Sequence, residues 1–277
     1  MRPPSSPPTR PRRTDRPPRS ALAARAASAA TPPPHERDFV PICGLAAVQA
    51  LVERDPRRIE RLFFEPRFAP ALLAARRLLA AARKPYREVA AEELARIAGT
   101  VRHAGVVAIA RPRPLADFDS GRVAGWARSG RLVLVLDGVG NPHNLGAIVR
   151  SAVYFGVEHV ILADRPEQAF PSAASYRIAE GALESVTLHR AALATALPLL
   201  QRHFRLVGSA LAHGTPLASL RGGRPVALVL GNEELGIDPA TLALCDTVVT
   251  IPGAGSGVQS LNVAAAAAVM LYALCGA

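Results

Sequence analysis

Three short polar clusters in the C-terminal half of this 277-residue chain hold the side chains best able to do chemistry. The first runs Leu136-Asp-Gly-Val-Gly-Asn-Pro-His-Asn-Leu-Gly-Ala-Ile-Val-Arg150; Asn144 stands where a helix begins, and Arg150 follows nearly two turns later. The second, Leu230-Gly-Asn-Glu-Glu-Leu-Gly-Ile237, sets Asn232 and Glu233 between glycines that let backbone approach a ligand closely. The third is Ile251-Pro-Gly-Ala-Gly-Ser-Gly-Val-Gln-Ser-Leu-Asn-Val263, with Ser260 and Asn262 at its end. Amides and hydroxyls orient a substrate, a carboxylate accepts several donors, and a guanidinium grips phosphate or a developing oxyanion. Each cluster also has a plain structural explanation: Asn144 as a helix cap and Arg150 as amphipathic cover, the Glu233-Glu234 pair as a solvated turn, and the third cluster as a glycine loop. Gly253, Gly255 and Gly257 imitate a dinucleotide fingerprint, but no βαβ unit follows and no acidic residue stands about 20 positions on. No glycine loop is followed by a Walker lysine. A loop of backbone donors leading into an alanine-rich helix suits a small polar cofactor instead.

These clusters must be held by regular elements, and the apolar pattern supplies them. Strands are expected at Leu132–Leu136, Val160–Ala163, Val186–Leu188, Leu206–Ser209, Val226–Leu230 and Thr247–Ile251. Helices are expected at Leu145–Tyr154, at Ser172–Leu183 with Ser172 as its N-cap, at Ala191–His203, and from Leu261 onward. Short continuous apolar strands separated by helices indicate an α/β fold with a parallel sheet covered on both faces. Ligands bind such sheets at the carboxyl ends of strands, where all three clusters fall. Upstream, residues 38–112 read as a small α/β domain, with helices at Gly44–Glu53, Pro70–Ala82 and Ala90–Ile97 and strands at Ile59–Phe64 and Gly105–Ala110. Between Arg113 and Gly130 the periodicity lapses, which marks a linker before a second domain at 131–277.

Residues 1–37 read as a disordered tail: the first 35 hold 10 of the 25 prolines, interleaved with Arg2, Arg10, Arg12, Arg13, Arg16 and Arg19. The chain carries a net charge of +11, nearly all its basic residues being arginine because Lys84 is the only lysine, and this favours a polyanionic partner such as RNA. Cys43, Cys245 and Cys275 are odd in number and widely spaced, offering neither a disulfide framework nor a metal site, and a reducing cytoplasm fits them best. The longest apolar run, Val263 to Ala273, is too short to cross a bilayer, so no membrane partner is expected. No apolar signal sequence is expected from the Pro/Arg-rich first residues.

Taken together, the clusters resemble the three motifs of the SpoU (TrmH-like) branch of the SPOUT RNA 2′-O-ribose methyltransferases. The matching residues are Pro142-His-Asn-Leu-Gly-Ala-Ile-Val-Arg150, Leu230-Gly-Asn-Glu233, and Ile251-Pro-Gly with Ser260-Leu-Asn-Val263. The preceding domain is similar to that family's L30e-like substrate-binding domain, through Ile42-Cys-Gly-Leu-Ala-Ala-Val-Gln-Ala-Leu51 and His103-Ala-Gly-Val106. The resemblance implies a trefoil knot, S-adenosyl-L-methionine as cofactor, and a homodimer in which Val263–Leu274 is both a core and an interface helix. It assigns catalysis to Asn144, Arg150, Glu233, Ser260 and Asn262. Cofactor binding falls to Ser209, Ala210, Leu211, Leu230, Gly231, Asn232, Ile251, Gly253, Ser260 and Leu261.

The implied reaction is attack of a ribose 2′-oxygen on the sulfonium methyl, with ribosomal RNA favoured over transfer RNA. A guanidinium titrates above ~12 and is a poor base, so Arg150 is expected to stabilise alkoxide or grip phosphate, oriented by Asn144, Glu233 and Asn262. Glu234 departs from the glycine that many relatives carry, and the third motif holds an apparent extra residue near Gly257. The alternatives are a non-catalytic RNA-binding SPOUT homologue and a SPOUT base methyltransferase.

Overall fold

The computed structural model describes residues 39–211, 214–220, 223–254, 257 and 260–275. The Pro/Arg-rich segment 1–37, read as a disordered tail, and Gly255 lie outside the described residues.

The N-terminal half comprises β1 (Val40–Cys43), α1 (Leu45–Arg54), β2 (Ile59–Phe64), α2 (Leu73–Ala81), β3 (Tyr86–Glu88), α3 (Ala91–Ala98) and β4 (Val106–Ala110). Its sheet has the order β1-β4-β2-β3, with β4 antiparallel to both neighbours and β3 parallel to β2. Helix α1 turns Ala47, Val48 and Leu51 inward, the i, i+1, i+4 stripe its apolar spacing dictates.

The C-terminal half adds β5 (Ala116–Asp117), α4 (Ser120–Arg128), β6 (Val133–Asp137), α5 (Pro142–Tyr154), β7 (His159–Ala163), α6 (Ala173–Ala179), β8 (Thr187–Ala191), α7 (Leu193–Gln201) and β9 (Arg205–Ser209). Then follow β10 (Thr215–Pro216), β11 (Val226–Gly231), α8 (Pro239–Ala243), β12 (Thr247–Thr250) and α9 (Val263–Cys275). The eight strands form one sheet in the order β10-β12-β9-β11-β6-β7-β8-β5, and every pairing is parallel. All five residues of β6 are buried because helices cover both faces. Leu132, Leu134 and Leu136 enter one core, and Val133 and Val135 the other, following the strand's period of two. Each such leucine contributes about 1.5–3 kcal/mol relative to an exposed one. The first of these cores is continuous with that of the N-terminal half, which places Ile42, Leu51 and Phe64 in the same cluster as Leu145 and Leu183.

The stretch read as a linker is structured: β5 pairs with β8 at the sheet edge, and α4 buries Val123 and Trp126. A two-residue strand and a helix interrupted by Gly121 and Gly125 are too short and too irregular to show a period. Chain order reverses between β6 and β11. After β8 the chain crosses to β9 and then fills the gap with β11, creating the switch point beside which such folds bind ligands.

Candidate functional site

The site begins at the carboxyl end of β6. Asp137 is buried there; its Oδ1 accepts from Arg165 Nη1 at 2.8 Å and its Oδ2 from Asp238 N at 2.9 Å, tying two loops to the strand end. The hydrogen bonds to Asp137 and then Glu167 raise the Arg165 guanidinium's pKa further, so its charge is fixed. Buried Gln168 holds the loop that follows: its Oε1 accepts from Gly138 N at 3.0 Å, and its Nε2 donates to Val139 O at 3.2 Å. Asn141 caps α5, accepting from His143 N at 2.8 Å, with Pro142 as the first helical residue. Asn144 is therefore not the cap, and its amide is free for other work.

That amide joins the other two clusters. Asn144 Nδ2 donates to Glu233 Oε1 at 2.8 Å, and Asn262 Nδ2 donates to Asn144 Oδ1 at 3.1 Å. Glu233 also accepts from the backbone N–H groups of Gly140 at 3.0 Å and Asn141 at 3.1 Å. Burial pushes the Glu233 carboxyl up. The hydrogen bonds from Asn144 and from backbone N–H groups, including its own, outweigh that and hold it below the ordinary carboxylate range. Such a carboxylate is a clamp and a poor proton acceptor. Its neighbour Asn232 locks the turn: Nδ2 donates to Gly138 O at 2.8 Å, and Oδ1 accepts from Glu234 N and Leu235 N.

Beside this network lies a cleft at the ends of β9, β11 and β12, about 810 Å³ with its open mouth included. Ser209, Ala210, Leu211, Gly231, Asn232, Glu233, Ile251, Ser260 and Leu261 line it, which gathers most of the expected cofactor residues. Leu230 instead points into the core, and Gly253 lies outside the lining. Gly231 admits no side chain: a Cβ there would stand 2.2 Å from Gly236 C and Ile237 N, because Asn232 and Gly236 pair backbone to backbone. Arg150 is not brought to the cleft, nor to the amide network expected to orient it. Its Nη1 pairs with Glu180 Oε1 at 2.9 Å on the exposed flank of α5.

The model of the SpoU rRNA methylase family matches residues 131–272, and that of RNA 2′-O ribose methyltransferase substrate binding matches 41–116. The chain belongs to the SpoU rRNA methylase family. It is 34% identical over 242 residues to the 23S rRNA (guanosine-2′-O-)-methyltransferase RlmB of Acinetobacter baylyi, covering 84% of this chain and 95% of that one. The Escherichia coli protein of the same name is 35% identical over 244 residues, covering 83% and 96%. Among solved structures, the SpoU methyltransferase AviRb from Streptomyces viridochromogenes in complex with the cofactor AdoMet is 25% identical, with a TM-score of 0.70, covering 93% of this chain and 98% of that one.

Glu234 and Val263, noted in the second and third motifs without a role, also line the cleft, and so do Gly236, Ala266 and Met270, to which the motifs did not point. The spacing of Val263, Ala266 and Met270 puts them on one face of α9, a signal legible once that face is known to close a site. Gln168 and Asp137 carried no sequence signal; their roles arise only from folding.

Proposed function

We propose that this chain transfers a methyl group from S-adenosylmethionine to the 2′-hydroxyl of a guanosine ribose in 23S rRNA. The observation that carries this reading is the hydrogen-bonded chain Asn262–Asn144–Glu233, which unites three distant motifs at the rim of one cleft. The similarity to the RlmB proteins over most of the chain supports the substrate class.

The cleft fits the cofactor. Leu211, Ile251, Leu261 and Met270 offer an apolar wall suited to a flat base, while Ser209, Asn232 and Ser260 offer polar groups near a tight backbone turn. Ser209, Ala210, Leu211, Gly231, Ile251 and Leu261 would hold it, with Gly253 and Leu230 shaping the loops around them. When bound, S-adenosylmethionine supplies a methyl group already activated as a sulfonium substituent. The chain's own task is therefore orientation. Glu233 fixes the Gly140–Asn141 loop and the Asn144 amide, while Asn262 ties α9 to the same group. Ser260 lies on the lining, within the substrate's reach. Arg150, outside the cleft, grips an RNA phosphate and so sets the ribose; its guanidinium is no base.

Residues 38–112 act as the RNA substrate-binding domain and 131–277 as the methyltransferase domain, with 113–130 between them. A trefoil knot is expected of this fold, and the path from β12 to α9 lies partly outside the described residues. A homodimer is supported by the exposed Tyr154 (85%) and Tyr272 (67%) on α5 and α9, large apolar groups that a second copy would cover. The reaction takes place in the cytoplasm, where ribosomal RNA is modified.

Incubating the protein with methyl-labelled S-adenosylmethionine and unmodified 23S rRNA, then digesting to nucleosides, tests the reading. Label in 2′-O-methylguanosine is the expected result; label on a base, or none, overturns it.

A further inference from the structure

We propose that Glu180 is a positioning residue for Arg150, and that the seating of the N-terminal half on α6 fixes where Glu180 stands. This rests on the reading above, in which Arg150 grips the RNA.

Glu180 ends α6 with φ 46° and ψ 43°, left-handed backbone that disfavours residues other than glycine, asparagine or aspartate. Strain of this kind persists where the surroundings over-determine a residue, and it clusters at functional positions. The surroundings here are specific. Gly181 follows with φ 95° and is pressed against α1: a Cβ would stand 2.8 Å from Ala50 Cβ and 3.1 Å from Ala46 O. One turn before Glu180, Tyr176 Oη accepts from Arg58 Nη2 at 3.1 Å. Four residues after it, buried Glu184 pairs with Arg58 Nη1 at 2.7 Å. Both flanks of Glu180 are thus pinned to the N-terminal half.

Between those pins Glu180 reaches the other way, to Arg150 at 2.9 Å. Both side chains are about half exposed, so the pair adds little to stability, and its consequence is geometric. A free arginine samples many rotamers. One guanidinium nitrogen held by Glu180 fixes the fork while its remaining donors stay open to a phosphate. The RNA-binding half therefore sets the direction of Arg150 through a single carboxylate.

The experiment uses the full chain with four variants: E180Q, E180N, R150A and R150A/E180Q. kcat, KM for RNA, KM for S-adenosylmethionine and Tm are read for each. E180Q is expected to lower kcat about tenfold with KM for S-adenosylmethionine unchanged. E180N is expected to lower kcat likewise while melting no lower than wild type, because asparagine tolerates the left-handed backbone. The double variant should be no slower than R150A alone. Wild-type kcat in E180Q and E180N beside a slow R150A overturns the positioning role and leaves the Arg150 reading intact. Losses that multiply in the double variant overturn it too, as does a fall in Tm that accounts for the lost rate. Wild-type kcat in R150A overturns the role of Arg150 itself, and the proposal with it.

Discussion

Asn144 donates to Glu233 Oε1 at 2.8 Å while its own Oδ1 accepts from Asn262 Nδ2 at 3.1 Å, so one amide uses its donor and its acceptor to join three motifs. A neutral amide is required at the middle position. Glu233 offers only acceptors, and Asn262 presents a donor, so the central group must do both. An aspartate at 144 keeps the shape and satisfies Asn262, but it sets two carboxylates against each other. N144D should therefore lower kcat on the order of 100-fold, since displacement of about 1 Å at a reacting centre costs that much. Steady-state kinetics on 23S rRNA check this; a rate within twofold of wild type would mean the network does not serve catalysis.

Gly231 makes a second, sharper case. A methyl group there meets backbone at 2.2 Å, which no rotamer change relieves, so the Asn232–Gly236 turn must open. G231A should destabilise the chain by about 1–3 kcal/mol and weaken S-adenosylmethionine binding by at least tenfold. Urea unfolding and isothermal titration measure the two effects. Unchanged affinity in G231A would exclude the β11 turn from the cofactor site.

Much of this site is legible in the sequence, because the clusters that hold Asn144, Glu233 and Asn262 each follow an apolar strand, and strand ends are where such sheets bind ligands. The cap of α5 was misjudged: Pro142 at the first helical position makes Asn141 the cap, a signal present in the sequence. Arg150 is expected beside the amides only because the family resemblance implies it. Its partner depends on how α6 packs across α5, which no local pattern encodes. Gln168 lies 30 residues from the Gly138 N–H it accepts, and only the sheet brings them together. Helix α4 was hidden by its two glycines and its brevity.

The Arg58–Glu184 pair, with both side chains almost fully buried, predicts how firmly the two halves are joined. Among the described residues Glu184 Oε1 lacks a partner, and the nearest other cation is Arg113 at 4.0 Å. R58M leaves a buried carboxylate without its main partner and should cost about 3–5 kcal/mol. Replacing both, as R58M/E184L, removes the stranded charge and should recover most of that loss. Urea unfolding of wild type, single and double variants separates these outcomes; a double variant as unstable as the single would show that the pair's charge is not what matters.

At the far edge of the sheet, Trp126 stacks on His159 with ring centroids 4.3 Å apart, and His159 Nδ1 lies 3.2 Å from His189 Nε2. Burial, then the neighbouring His189, lower the His159 pKa to about 4 from an ordinary 6.5, with Glu158 opposing and Arg122 adding to the shift. Burial lowers His189 as well. Between those values the unfolded chain binds a proton that the folded chain refuses, so folding stability is full above about 6.5 and falls as pH drops toward about 4. His159 is partly exposed, so solvent moderates the size of the effect but not its sign. H159F keeps an aromatic ring on Trp126 and removes the titrating group. Its stability, followed by urea unfolding from pH 7 to pH 4, should fall less steeply than that of wild type. Parallel slopes for the two proteins would place the acid sensitivity elsewhere in the chain.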